Sequence, residues 1–132
     1  MRGLYTGLAV LALAFSVSGA ASAEEPDLAL GEKLFARCKA CHTLDEGGKN
    51  GIGPNLHGLF GRTAGSVEGV NYSKAMKAKG EEGLVWTEET LMTYLEKPSA
   101  MVPGTSMAFP GLKKPHERTS LIAYLKRETG AE

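Results

Sequence analysis

The only two cysteines of the chain lie three positions apart and are followed at once by a histidine, in Cys38-Lys39-Ala40-Cys41-His42. At this spacing two thiols can each add to a vinyl group of one porphyrin while the next residue turns its imidazole onto the iron, which is the chemistry of covalent haem attachment. A disulfide between the pair would close a tiny loop and staple nothing distant. A zinc site would need two further ligands at suitable spacing, and a thioredoxin-like pair would need a strand–helix–strand context. Neither is present, so the pattern predicts one c-type haem bound through Cys38 and Cys41, with His42 as proximal iron ligand.

One axial position remains, and the residues chemically able to fill it are Met76, Met92, Met101, Met107, His57 and His116. Met92 stands beside Leu91 and Leu95 in a helical pattern, where packing is the ordinary use of methionine. Met101 and Met107 both stand in a loop near prolines, and residue chemistry alone does not choose between them. A thioether there would let one electron come and go without a change of ligands and would raise the reduction potential by favouring ferrous iron. An open position would instead suit a haem peroxidase or a carrier of a small gas ligand.

Several elements must position these groups. Asp27 can cap a helix running from Leu28 toward Cys38, with Leu30, Leu34 and Phe35 on one side. Gly31 lies within it, at a cost of up to about 1 kcal/mol relative to alanine, so its expected use is to let another helix approach closely. Thr87 can cap a second helix with Glu88 and Glu89 in its first turn, Leu91, Tyr94 and Leu95 on one face, and Lys97-Pro98 at its end. Pro115 can start a third, with Leu121, Ile122 and Leu125 as its buried stripe, Lys126 and Arg127 near its C-terminus and Gly130 as its stop. From Asp45 to Gly69 glycine and polar residues are too dense for regular structure, and a loop this long in a small domain suits wrapping around a rigid cofactor. No run alternates like a strand. The expected fold is all-α, three main helices with long loops around one haem, and without the haem the glycine-rich chain is expected to be largely unfolded.

The first residues have the layout of a secretory signal peptide: Met1-Arg2, an apolar run from Leu8 to Val17, and Ala21-Ser22-Ala23 before Glu24-Glu25. The run is shorter than the roughly 20 residues a membrane span requires. Residues 1–23 are therefore read as a cleaved signal and 24–132 as a single domain in the periplasm. The 132 residues carry 15 basic and 15 acidic side chains, a balance that does not suit a nucleic-acid binder. Within that balance Arg37 and Lys39 flank Cys38, and Lys113 and Lys114 follow Met107, so a basic patch is expected near the haem attachment.

Over essentially the whole chain after residue 23, the sequence resembles the class I cytochromes c, close to the branch of bacterial cytochrome c2 and mitochondrial cytochrome c. The resemblance is carried by Cys38-Lys39-Ala40-Cys41-His42-Thr43, by Gly53-Pro54-Asn55-Leu56-His57-Gly58-Leu59-Phe60-Gly61-Arg62 and by Pro103-Gly104-Thr105-Ser106-Met107. It implies the class I cytochrome c fold and selects Met107 as the sixth ligand, leaving Met101 to packing. It implies that the Pro54 carbonyl accepts the second imidazole N–H of His42. Arg62, Tyr72, Trp86 and Thr105 would hydrogen-bond the haem propionates, and Tyr94 would pack near the methionine sulfur. Gly31 and Phe35 would meet Leu121 and Tyr124 where the first and last helices cross.

The same resemblance implies a monomeric, soluble one-electron carrier of the respiratory chain type and no enzyme activity. It would shuttle between a membrane quinol:cytochrome c oxidoreductase and a terminal oxidase or photosynthetic reaction centre. Three departures stand out. The segment between Tyr72 and Trp86 is longer than in the mitochondrial proteins, around Gly80-Glu81-Glu82-Gly83, and Met76 falls near their buried asparagine. Asn50 stands in place of a loop-tying histidine, and Ser99-Ala100 in place of docking lysines.

Overall fold

A computed structural model describes residues 24–131 and, before them, only Gly3, Ala14, Ser16 and Gly19. The expected signal peptide therefore lies outside the described residues. Among the described residues no helix is long and apolar enough to cross a membrane.

Among the described residues five helical segments follow in order: α1 (Leu28–Phe35), α2 (Lys74–Glu81), α3 (Glu88–Glu96), α4 (Pro98–Met101) and α5 (Pro115–Glu128). The all-α expectation holds, with α1, α3 and α5 where capping and periodicity put them. The Asp27 carboxylate accepts from the Leu30 N–H at 3.1 Å. Thr87 and Thr90 cap the start of α3 reciprocally, satisfying donors that a helix end otherwise leaves bare. α1 stops at Phe35, short of Cys38, because the chain tightens into i→i−3 turns there, with Arg37 N–H on the Leu34 carbonyl and Cys38 N–H on that of Phe35.

Two helices were not expected from the sequence. α2 lies in the long segment between Tyr72 and Trp86. Its apolar residues are too few to mark a buried stripe, and its one local signal is Ser73, whose hydroxyl accepts from the Met76 N–H at 3.0 Å. α4 is a single turn started by Pro98.

The frame is the crossing of α1 with α5. A Cβ on Gly31 would press on the Ser120 carbonyl oxygen and stand 2.6 Å from the Tyr124 Cβ, so only glycine lets the two backbones come this close. Phe35 and Tyr124 pack ring to ring at 5.8 Å, and the Ser120 hydroxyl accepts from the Asp27 N–H at 3.0 Å. Leu121, Ile122, Tyr124 and Leu125 bury the inner face of α5. At its start the buried Arg118 guanidinium donates to the carbonyls of Leu112 and Lys113. Lys126 reaches Glu88 of α3 at 2.7 Å.

The segment from Asp45 to Gly69 is loop and turn, as expected. It is fastened at its far side by an antiparallel bridge between Thr63 and Val85. There the Trp86 N–H donates to the Arg62 carbonyl and the Gly61 N–H to that of Trp86. This short ladder fixes Arg62 and Trp86 side by side.

Candidate haem site

The turn after α1 is closed by the Cys41 and His42 N–H groups, which both donate to the Cys38 carbonyl, at 3.1 and 3.0 Å. Both thiols and the imidazole are thereby held on one short loop. That loop forms one wall of a cavity of about 330 Å³ whose other walls come from α2, α3, α5 and the segment around Met107. Every residue that the sequence assigned to the haem lines this single cavity: Cys38, Cys41, His42, Pro54, Arg62, Tyr72, Trp86, Tyr94, Thr105 and Met107.

His42 is oriented from two sides. Its Nδ1 lies 2.8 Å from the Pro54 carbonyl oxygen, so Nδ1 carries the proton and Nε2 is the nitrogen left with its lone pair. The face of the ring is covered by Gly53, where a Cβ would stand 2.9 Å from Nδ1 and closer still to Cε1. Burial lowers the His42 pKa, and the bond to Pro54 offsets part of that effect. Burial likewise raises the Cys38 thiol pKa, while the neighbouring Arg37 pulls it back.

Across the cavity the Tyr94 hydroxyl donates to the Met107 sulfur at 3.6 Å, and the Met107 N–H donates to the Thr105 hydroxyl at 3.2 Å. Tyr94 is packed against Trp86 at 4.8 Å between ring centroids. Its own pKa is pushed up to about 12 by burial, against a smaller downward pull from Thr105.

Two polar groups stand ready for an anionic substituent. Arg62 is held in place by the carbonyls of Asn55 and His57, and a guanidinium has five donors, so others remain. The Tyr72 oxygen accepts from the Val67 N–H at 3.1 Å, which leaves its own proton to donate. Leu56, Leu59, Leu91 and Leu95 make the remaining wall largely apolar. Two thiols, an imidazole nitrogen and a thioether sulfur around an apolar slot with cationic and hydroxyl donors fit an iron porphyrin bearing carboxylates.

Of the other candidate sixth ligands, Met76 also lines the cavity, whereas Met92, Met101, His57 and His116 are not on its wall. Met92 packs against α5, with the Thr119 hydroxyl 3.9 Å from its sulfur. Sequence reasoning named Met76 among the groups able to fill the sixth position and, on the family resemblance, set it aside in favour of Met107. It missed the leucines as cavity wall, because their helical spacing looks the same whether they face a protein core or a cofactor.

Asn50 performs the tie expected of a histidine. Its side-chain carbonyl accepts from the Asn55 N–H at 2.8 Å and its amide donates to the Glu68 carbonyl at 3.2 Å. Asn55 in turn bonds the Thr43 hydroxyl and the Asp45 carbonyl. The loop that carries Gly53 and Pro54 is therefore cross-braced beside His42.

The chain is similar to known proteins over most of its length. The family model described as "Cytochrome c" matches residues 28–128. The chain is 52% identical over 99 residues to a cytochrome c2 of Afifella marina, covering 75% of this chain and 80% of that protein. It is 52% identical over 101 residues to a cytochrome c2 of Agrobacterium tumefaciens (strain II Chrys), covering 76% and 91%. It is 55% identical over 107 residues to a cytochrome c of Stellaria longipes, covering 80% and 96%.

Proposed function

This chain belongs to the cytochrome c family, carries covalently bound haem c and is an electron carrier rather than an enzyme; from that premise we propose how its residues hold the haem and between which partners it moves electrons. Cys38 and Cys41 would hold the haem through thioether links, and His42 and Met107 would be the residues that bind its iron. Bound there, haem would supply the chemistry, the gain and loss of one electron. The protein's part is to keep everything around that iron unchanged while this happens.

His42 offers Nε2 because Nδ1 is committed to Pro54, and Gly53 and Pro54 stop the ring from turning. Met107 offers a soft sulfur whose position is fixed by Tyr94 and Thr105. With His42 and Met107 both bound to it, the iron would be closed to substrates and gases and little would reorganise on electron transfer. Arg62, Tyr72, Trp86 and Thr105 would receive the propionates, and the leucine wall would exclude water, which would favour the less charged ferrous state and so a positive potential.

The single observation that carries this reading is that His42, with its Nδ1 already bonded, and Met107, with its sulfur already bonded to Tyr94, line one cavity together with both cysteines. The proposed partners are a membrane quinol:cytochrome c oxidoreductase as donor and a terminal oxidase or photosynthetic reaction centre as acceptor. The protein would meet them as a soluble monomer in the periplasm after removal of residues 1–23.

The test is an absorption spectrum of oxidised and reduced protein beside a Met107→Ala variant. Wild type is expected to be low-spin in both states and to bind no carbon monoxide when reduced at neutral pH. The variant is expected to lose the sulfur-to-iron absorption and to bind carbon monoxide. Carbon monoxide binding by the wild type would overturn the carrier mechanism in favour of an open iron.

A further inference from the structure

Of the asparagines in the chain, Asn50 alone is followed by a glycine; Asn55 precedes Leu56 and Asn71 precedes Tyr72. That pair is a chemical weak point. The backbone nitrogen of the following residue can attack an asparagine's side-chain amide carbon, and asparagine is for this reason among the thermolabile residues. Glycine brings no side chain to shield the nitrogen or to limit the backbone rotation that the attack needs.

Asn50 is exposed, so water reaches it. Its side chain is restrained only by surface hydrogen bonds: Oδ1 accepts from the Asn55 N–H at 2.8 Å and the amide donates to the Glu68 carbonyl at 3.2 Å. The attacking group is restrained in the same way, since the Gly51 N–H donates to the Gly53 carbonyl at 2.9 Å. Exposed bonds of this kind open and reclose locally. Asn55 is tied far more fully. Its amide donates to the Thr43 hydroxyl and the Asp45 carbonyl, its oxygen accepts from the His57 N–H, and the Leu56 behind it is buried.

We infer that Asn50 is a site of spontaneous deamidation in the folded protein, slowed but not stopped by its hydrogen bonds, and that the reaction unfastens the loop beside His42. The Gly51 nitrogen gives up its proton to solvent and bonds to the Asn50 Cγ, while the Cγ–Nδ2 bond breaks and the side-chain nitrogen leaves as ammonia. The five-membered imide so formed takes up one water. Opening at Cγ gives aspartate, and opening at the backbone carbonyl gives isoaspartate with an extra methylene in the main chain. One amide and one water thus become one carboxylic acid and one ammonia.

Either product lacks the amide donor, so the Glu68 carbonyl loses its partner and faces a carboxylate instead. The extra methylene of isoaspartate also enters the chain directly before Gly51, where even a Cβ would stand 3.0 Å from the Cys41 carbonyl oxygen. The loop that carries Gly53 and Pro54 then keeps its bond to Cys41 but not its tie to Glu68.

The experiment ages the holoprotein at mildly alkaline pH, locates amide-to-acid conversion by peptide mass spectrometry and measures released ammonia, with a synthetic peptide of residues 45–56 as reference. Conversion at residue 50 is expected to run at least about tenfold faster than at Asn55 or Asn71, and about ten- to a hundredfold slower than in the free peptide. Asn50→Gln, which can form only a six-membered imide, should release little ammonia over the same period. Converted protein, separated by its added negative charge, should exchange the amide hydrogens of Gly51, Gly53 and Leu56 severalfold faster than unaged protein. Conversion at residue 50 no faster than at Asn55 and Asn71 overturns the site. Conversion as fast as in the free peptide overturns the restraint, and conversion that leaves the three amides unchanged overturns the unfastening.

Discussion

The Tyr94 hydroxyl donates to the sulfur of Met107 at 3.6 Å, so a helix face and a loop thirteen residues further along share one proton at the point where iron is to be held. A proton on sulfur draws electron density away from it and makes it a poorer donor to ferric iron. Tyr94→Phe should therefore lower the reduction potential, by roughly 20–40 mV if the bond is worth about 0.5–1 kcal/mol. A potentiometric titration reads this directly. An unchanged or raised midpoint would mean that the bond does not act on the iron.

Tyr94 also predicts an alkaline limit to stability. Its folded pKa is pushed up to about 12 by burial from an ordinary tyrosine value of 10.0. Raised in the folded state, it contributes stability that is fully present below pH 10 and is lost as pH rises through the folded value, since the unfolded chain ionises first. The loss should approach about 2–3 kcal/mol by pH 12. Denaturation midpoints measured from pH 9 to 12 should fall more steeply in wild type than in Tyr94→Phe.

Gly31→Ala should destabilise the protein although alanine is the better helix former. The propensity gain is up to about 1 kcal/mol, whereas a Cβ forced against the Ser120 carbonyl and Tyr124 costs about 1–3 kcal/mol or more, because α1 and α5 must separate. Gly31→Val should be worse. Thermal denaturation of the holoprotein checks the order wild type, alanine, valine.

The haem is expected to be part of the core. Burial of a few hundred Å² of porphyrin at ~25 cal/mol/Å² contributes about 10 kcal/mol, comparable to the ~5–15 kcal/mol stability of a typical domain. A Cys38→Ala, Cys41→Ala variant without haem should lose most of its helical circular dichroism, since the leucines of α3 and α5 would then face an empty slot. Native helicity in that variant would assign the fold to the chain alone.

Much of this protein is legible without coordinates because its chemistry is written in short spacings. Two thiols and an imidazole within five residues define the attachment, and Asp27, Thr87 and Pro115 each start a helix by local hydrogen bonding or a fixed φ. The boundary at Phe35 and the helix over Lys74–Glu81 escaped, the first because the chain tightens before the cysteines and the second because one serine cap and one buried methionine leave no periodic stripe.

Residue types and the resemblance they carry thus determined the cofactor, the all-α class and the residues assigned to the haem. Tertiary structure alone decided that those residues, drawn from distant loops and helices, meet at one cavity, that Met76 joins them, and that Asn50 reaches Glu68 to brace the loop beside His42. The reason is physical. Attachment and capping act over a few bonds and leave their mark in the order of residues, whereas a cavity wall exists only where α1 and α5 cross, and that crossing depends on the space Gly31 leaves empty.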